Sequence, residues 1–446
     1  MTQCNGLPLA FSSLGRKKIH ADFSGGHLSS DGGAILLREV DKRLGLIDAL
    51  AGCFSDSRDL GKTRHTLRTL LAQRVFAIAL GYEDLNDHDQ LRDDPLMQLL
   101  SERPLDARQP LASASTLCRW ENRVDRATLV RMAAVFVQQF IASHKQAPEQ
   151  LVLDFDATDD PVHGQQEGRF FHGYYDHYCF LPLYVFCGDQ LLAAYLRPSK
   201  IDGAKHSRAL LKLLVDQFRR LWPSVKIVVR ADSGFCRWRM LRWCDRHDVD
   251  YIIGLAKNKV LERRLEPWME RASQQFDQSQ QSQRLFTAFE YGAGTWDRRR
   301  RVLGKAEHNG QGSNPRFVVT SLDGDPQELY EHLYCQRGEM ENRIKEQQLD
   351  LFANRTSCHR FAANQLRLLL SSAAYVLLES LRRLGLQGTE WARAQAGTIR
   401  LKLLKIGARL TWSVRRLVLH LATGYPLKDL FERVVRRLRE PHLRPT

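Results

Sequence analysis

The 446-residue sequence is short of paired cysteines, of long apolar runs and of acid relative to base, and each shortage removes a class of protein. Its nine cysteines, Cys4, Cys53, Cys118, Cys179, Cys187, Cys236, Cys244, Cys335 and Cys358, contain no Cys-x-x-Cys pair and are odd in number. That pattern argues against a zinc ribbon and against a disulfide framework. Reduced thiols and a cytoplasmic site are the expectation. No stretch of about eighteen uninterrupted apolar residues occurs, so no membrane span is expected. The greasiest segment, Leu366 to Leu381, is interrupted by Arg367, Ser371, Ser372, Glu379 and Ser380 and reads as a core helix. Met1 to Ala10 has no apolar run of signal-peptide type, and no internal repeat is visible. Acidic residues number 51 against 66 Lys and Arg, a net charge of +15. Such an excess points to a polyanionic partner, nucleic acid first and an acidic membrane surface second. With 43% hydrophobic residues the chain is composed like a folded protein, and its length suggests about two to four domains.

What is present falls into blocks. Residues 1–146 read as a helical region, with apolar residues at helical spacing in Gly32 to Leu46 and again in His65 to Leu80. A basic amphipathic helix is predicted over Ser113 to Phe140, on which Ser115, Thr116, Arg119 and Arg123 are candidate DNA contacts. At Leu151 the character changes. The runs Leu151 to Asp156, Phe180 to Cys187, Leu191 to Leu196, Lys226 to Asp232 and Tyr251 to Leu255 are rich in strand formers. Helical patterns at Ala204 to Leu221 and Trp238 to Asp248 separate the later ones, so a mixed α/β sheet is predicted over 147–255. Residues 256–313 read as a β-rich insertion, with Gln274 to Gln283 as a polar linker and a four-arginine run at Arg298 to Arg301 beside Trp296. Residues 314–385 supply a strand at Phe317 to Thr320 and a helix opened by Asp325-Pro326 that continues to about Leu351. Residues 386–446 read as a basic helical region, with twelve Lys/Arg against three Asp/Glu from Thr398 onward.

Three acids stand where chemistry would place them. Asp156 and Asp232 each end an apolar strand, and ligands of open α/β sheets collect beyond the carboxyl ends of strands. Glu341 lies on the predicted helix Tyr334 to Asp350, where Tyr334, Arg337, Glu341, Lys345 and Gln348 share one narrow face. An acid flanked by two bases and a phenol makes poor core and a good active-site wall. Attack on a phosphodiester spreads negative charge over the attacking, leaving and phosphoryl oxygens, and two Mg²⁺ ions roughly 3.5–4 Å apart can stabilise it. Mg²⁺ takes hard oxygen ligands, so a few carboxylates suffice. Against this stands the ordinary role of most acidic residues as solubilisers, and of Asp as a turn former after strands.

Asp156-Ala157-Thr158 resembles the first block of bacterial DDE transposases, and Val229 to Phe235 (VRADSGF) resembles their second. Tyr334, Arg337 and Glu341 resemble the helical signature of the insertion-sequence-four-like group. Gln336 to Glu346, with Asp159 to Gly164 after the first acid, is similar to insertion sequence family thirteen-eighty. The resemblance spans nearly the whole chain. It implies an RNase H-like (retroviral-integrase-like) α/β core with a mixed five-stranded sheet whose second strand is antiparallel, a β-rich insertion, and helical terminal regions. It implies Asp156, Asp232 and Glu341 as catalytic metal ligands for two Mg²⁺ ions, with Mn²⁺ as a substitute. Tyr334 and Arg337 would hold phosphates near the cleaved end. The implied reaction hydrolyses a DNA strand at terminal inverted repeats with metal-activated water and joins the 3′-OH to target DNA, in a homodimeric synaptic complex and often through a hairpin intermediate. One departure is Gln348, where the family signature carries Lys; Lys345 lies one turn earlier on the same stripe.

Several alternatives stay open on the sequence. Asp154 shares the strand face of Asp156 and could be the ligand instead. Asp159 and Asp160 read as loop acids. His163, His172 and His177, with Asp176 nearby, match no standard zinc spacing and read as hairpin residues. Trp296, Arg298 and Arg299 are candidates for stacking on an unstacked base and for phosphate contact. A nuclease of the same fold without strand joining, and a non-catalytic DNA-binding relative, are the competing functions.

Overall fold

A computed structural model describes residues 9–440 except 57, 60, 62 and 106–108. The chain forms two compact units. Of the described residues, one is built from those up to Trp120 together with Ser380 to Glu440, the other from Glu121 to Glu379.

In the first unit, helices at Ile35–Leu44 and Leu67–Leu80 bury apolar faces, the second capped by Thr66, whose hydroxyl accepts from the Thr69 amide. The two ends of the chain meet here. Leu28–Ser29 pairs antiparallel with Ala408–Trp412, which in turn pairs with Leu417–Leu421. Gly33 is required by that meeting, because a Cβ there would collide with the Leu403 carbonyl. The terminal regions are therefore not purely helical: an exposed hairpin, Leu9–Leu14 with Lys17–Ala21, lies near the start and the Ala408–Leu421 hairpin near the end. Local periodicity carries no record of pairings between residues this far apart. The predicted helix over Ser113 to Phe140 is also two helices, Ala114–Glu121 and Arg126–Ala142, the second started by Asp125, whose carboxylate accepts from the Thr128 amide at 2.7 Å.

The second unit begins with α1 (Arg126–Ala142) and β1 (Gln150–Ala157), then the hairpin β2 (Leu183–Cys187) and β3 (Gln190–Tyr195). It continues with α2 (Ser207–Leu221), β4 (Lys226–Ala231), α3 (Trp238–Arg246) and β5 (Asp250–Leu255). The sheet order across these strands is β3-β2-β1-β4-β5. Pairs β1–β4 and β4–β5 are parallel, while β2 is antiparallel to both β1 and β3. After β5 come α4 (Lys259–Ser279), β6 (Gln283–Tyr291), β7 (Arg300–Asn309), β8 (Gly312–Ser313) and β9 (Arg316–Thr320). These last strands extend the same sheet, since β9 pairs with β5 and β7 with β9. The result is a large mixed sheet of nine strands rather than five. The block read as a β-rich insertion thus opens with a long helix, and Gln274 to Ser279, read as linker, forms that helix's last turns. Its polar run covers the exposed side of an amphipathic helix that packs on β6 and β7.

The sheet has two differently used faces. Leu151, Leu153, Phe155, Ile227, Val229, Ala231, Tyr251 and Ile253 point into the main core with α1, α2 and α3. The alternate residues point the other way, and there Val228 and Ile252 meet Leu303, Val318 and Tyr330. Asp154, Asp156, Arg230 and Asp232 share the parity of this second face.

The predicted continuous helix Tyr334 to Asp350 is broken. Asp325 caps a short turn, Pro326–Glu328, by accepting from the amides of Gln327 and Glu328. A π-helical turn follows over Leu329–Tyr334, then a bend at Cys335-Gln336, then α5 (Arg337–Asp350). Such π turns recur at functional sites. Finally α6 (Phe361–Leu381) crosses the unit almost entirely buried, with Asn364, Gln365, Ser371 and Ser372 among its buried polar residues. It is long and apolar enough to span a membrane by composition, and 83% of its apolar window is buried inside the protein. Cys179, Cys187, Cys236, Cys244 and Cys335 are free thiols.

Candidate active site

Parallel pairing of β1 with β4 sets the register Phe155 to Ala231, so the next residues, Asp156 near the end of β1 and Asp232 just past β4, lie at the same level. Adjacent strands lie about 4.8 Å apart. Both acids face the side on which α5 packs against β1. Glu341 on α5 completes the group. It accepts a hydrogen bond from Arg337 one turn earlier, and the other guanidinium nitrogen of Arg337 lies 3.6 Å from Asp156 Oδ2. One arginine thus bridges the first and third acids.

The electrostatics match the crowding. Burial, the largest influence, lifts the Asp156 carboxyl to about 7; Arg337 opposes this, and the like charges of Asp232 and Glu341 add to it. Burial lowers Arg337, but Asp156 and Glu341 more than offset that, and its pKa is raised. Asp232 is fixed as the cap of the turn Ser233–Phe235, its Oδ1 accepting from the Gly234 amide at 2.9 Å.

Tyr334 leans into the same corner. A Cβ on Gly254 of β5 would fall 2.7 Å from the Tyr334 hydroxyl, 2.8 Å from the Ser233 nitrogen and 3.1 Å from the Asp232 carbonyl carbon. Only a residue without a side chain allows the phenol, Asp232 and β5 to meet. The phenol's pKa is raised, chiefly by burial, with Arg337 opposing and Asp232 adding. Gly254 was not singled out in the sequence, although a glycine inside a strand pattern is a signal of close backbone approach.

Asp154 has a different fate from Asp156. It lies directly across from Arg230 in the β1–β4 register, and the guanidinium grips it with two bonds of 2.5 and 2.7 Å. Arg230 also donates to the Leu333 carbonyl at 2.5 Å, one residue before Tyr334. Asp154 and Arg230 are both buried. Asp154 is therefore committed to a buried pair that ties β1, β4 and the π turn together, and it is not free to serve as a ligand.

The remaining sequence candidates divide. Lys345 is exposed on α5, and Gln348 donates to the Asp159 carbonyl and to Asp160 Oδ1, both at 3.0 Å. Asp160, read as a loop acid, is fully buried, and burial pushes its carboxyl up to about 7, with Gln348 opposing and Asp159 adding. Trp296 is half-buried, edge-on to Tyr291 at 5.6 Å with the Arg300 guanidinium 5.5 Å from its ring. In the four-arginine run, Arg298 and Arg300 pair with Asp245, Arg299 donates to the Glu290 carbonyl, and Arg301 to the carbonyls of Leu322 and Gly324. Arg298 and Arg299 stay exposed beside those contacts. Arg119 and Arg123 are exposed on and just after Ala114–Glu121.

The family described as Transposase DDE domain group 1 matches residues 11–443. The chain belongs to that family. Comparison with curated proteins gives no match. Among solved structures, this DDE transposase-family chain is similar to the piggyBac transposase synaptic complex with hairpin DNA, determined by cryo-EM, at 10% identity over 93% of this chain and 83% of that one, with a TM-score of 0.43.

Members of a DDE family act through acids and divalent metal, so the donor set requires a test. Three carboxylates offer only hard oxygen donors, which suits Mg²⁺ or Mn²⁺. Their mutual repulsion is already felt at Asp156. Among the described residues no three His, Cys, Asp or Glu side chains stand close enough to hold an ion as they are. Arg337 instead takes the contacts of Asp156 and Glu341. By donor chemistry and by charge the residues fit the group.

Proposed function

We propose that this protein is a bacterial insertion-sequence transposase with an RNase H-like core, of the insertion-sequence-four-like group and related to family thirteen-eighty. It binds the terminal inverted repeats of its element as double-stranded DNA, cuts them, and joins the 3′-OH ends to target DNA as a homodimer in the bacterial cytoplasm. The observation that carries this reading is the grouping of Asp156, Asp232 and Glu341 around Arg337, two of them at neighbouring strand exits and the third on the helix laid over them. The strand order β3-β2-β1-β4-β5, with only β2 reversed, supports the RNase H-like assignment.

Asp156, Asp232 and Glu341 would hold two Mg²⁺ ions, which when bound supply Lewis-acid stabilisation of the charge that develops on the phosphoryl, attacking and leaving oxygens. The chain's own residues do the rest. Arg337 keeps its charge at all working pH values and presents two donors, the geometry that grips a phosphate. Tyr334 offers a phenolic proton beside Asp232 and is held there by the Arg230 bond to Leu333. The buried Asp154–Arg230 pair fixes the spacing of the two strands that end in the acids.

The test is a cleavage and strand-transfer assay on labelled DNA flanking the protein's own gene, with Mg²⁺ or Mn²⁺ and then with chelator. Nicked ends followed by joined products support the reading. Hydrolysis without joined products turns it into a nuclease, and binding without either turns it into a non-catalytic relative.

A further inference from the structure

Beyond the acids, the unit carries a small aromatic sheet whose purpose the reading above leaves unexplained. Phe170–His172 pairs with His177–Phe180, and that second strand also pairs with Asp160–Pro161, four residues after Asp156. The hairpin is thus built onto the loop that leaves the first catalytic strand. His177 clamps it there, its Nε2 lying 2.8 Å from Asp159 Oδ2, and Ser199 donates to the Phe170 carbonyl at 2.8 Å. Its turn is tight, with Asp176 at a φ of 58°.

The side chains are unusual for a solvated turn. Phe171 is 54% exposed and Tyr174 86% exposed. Exposed large aromatics on one short hairpin are a feature of binding surfaces. A cation already sits on the open face: the Arg169 guanidinium lies 4.3 Å from the centre of Tyr178, the ring paired across the strands with Phe171. Phe171 lies edge-on to Tyr178, and Tyr174 edge-on to Tyr175. The Tyr175 phenol is raised chiefly by burial, and the charges of Asp159 and Asp156 add to it.

Aromatic faces interleaved with cations are the surface that unpaired nucleotides need: bases stack on the rings and phosphates pair with the cations. Resting on the function proposed above, we infer that the hairpin Phe170–Phe180 is a stacking platform for unpaired bases beside the reacting phosphodiester, with Phe171 and Tyr174 as its open rings and Arg169 as its phosphate partner. Cutting and joining a duplex end exposes such bases, and this platform lies one short loop from Asp156. Trp296, the candidate from sequence, is packed against its own unit, whereas Phe171 and Tyr174 are open.

The test uses the full-length protein and a single-stranded oligonucleotide carrying 2-aminopurine, with the matching duplex as control. Stacking should quench 2-aminopurine on binding of the wild type. Phe171→Ala with Tyr174→Ala should weaken single-strand affinity by roughly tenfold or more and abolish the quenching. Tyr174→Phe should retain both, and duplex affinity should be unchanged. Unaltered single-strand binding in the double variant overturns the inference, as does an equal loss on single strand and duplex. Unaltered DNA binding with a changed sedimentation coefficient would instead mark a protein-docking surface and overturn it too. Failure of the wild type to cut DNA would remove the proposed function, whereas normal cutting with an indifferent double variant removes only the platform.

Discussion

Replacing Arg230 with Met tests the framework beneath the acids. The substitution keeps the length of the stem and removes the guanidinium that holds both oxygens of Asp154 and the carbonyl of Leu333. Asp154 is 1% exposed and Arg230 6%, so water cannot replace the lost partner without opening the sheet. Stranding one member of a buried pair costs about 3–5 kcal/mol. At about 2–4 °C per kcal/mol for a unit of this size, the thermal midpoint should fall by about 6–20 °C. The reverse comparison gives the reasoning its edge. Removing both charges, Asp154→Leu with Arg230→Met, leaves no stranded ion and should recover most of that loss, because an apolar pair of similar volume is often as stable as a buried ion pair. Differential scanning calorimetry on the wild type, both single variants and the double variant reads the coupling directly. A double variant no more stable than Arg230→Met alone would refute the claim that the pair's main energetic feature is mutual neutralisation. Cleavage should fall in the double variant even if stability returns, since the Leu333 tether to Tyr334 is gone.

Other consequences are sharper in direction than in size. Gly254→Ala drives a methyl into the Tyr334 hydroxyl and the Asp232-Ser233 backbone; overpacking of that kind costs about 1–3 kcal/mol, and an ångström-scale displacement of the site should lower cleavage by about 100-fold. Normal cleavage rates in that variant would show that Tyr334 and Asp232 need not touch β5. The Asp160 carboxyl stays protonated in the fold until pH approaches about 7, whereas an unfolded Asp ionises near 3.8. The folded state therefore binds the extra proton between those values, and stability should fall as pH rises from about 4 to about 7 by an amount on the order of 4 kcal/mol. Asp160→Asn should flatten that slope in urea titrations at a series of pH values, and an unchanged slope would reject it. Arg415 and Arg416 are exposed in the turn of the Ala408–Leu421 hairpin. If that turn meets the DNA backbone, changing both to Gln should reduce the log–log salt slope of binding by up to about 1.8, and an identical slope would place the contact elsewhere.

The strands ending in Asp156 and Asp232 were legible because both are nearly unbroken apolar runs, as strands covered on two faces must be. Their adjacency was not, since parallel pairing is a long-range fact. Once the register is known, Asp154 and Arg230 stand opposite each other and pair, a contact that the sequence of either strand alone does not carry. The helix carrying Glu341 was readable by its stripe, but the break at Cys335-Gln336 was not: nothing in the spacing of Tyr334, Arg337 and Glu341 distinguishes a continuous helix from a π turn followed by an α-helix. The four arginines at 298–301 read as one run in the β-rich insertion, with Arg298 and Arg299 among them as candidate phosphate contacts. Asp245, more than fifty positions earlier, takes two of them, and Arg300 ends 3% exposed. The basic tail likewise read as an independent helical region, whereas strand pairing with Leu28–Ser29 makes it part of the N-terminal fold. Periodicity reports what one segment buries, and it is silent about the partner.

The most direct measurement of the central claim is Mn²⁺ electron paramagnetic resonance on the full-length protein bound to its own labelled element end, compared among the wild type, Asp156→Asn, Asp232→Asn and Glu341→Gln. The account predicts protein-bound Mn²⁺ in the wild type and a loss of bound ion in every variant, while gel-shift affinity for the DNA persists. Full Mn²⁺ occupancy in any one of the three would remove that residue from the metal site, and full occupancy in all three would leave the carboxylates without the role assigned to them.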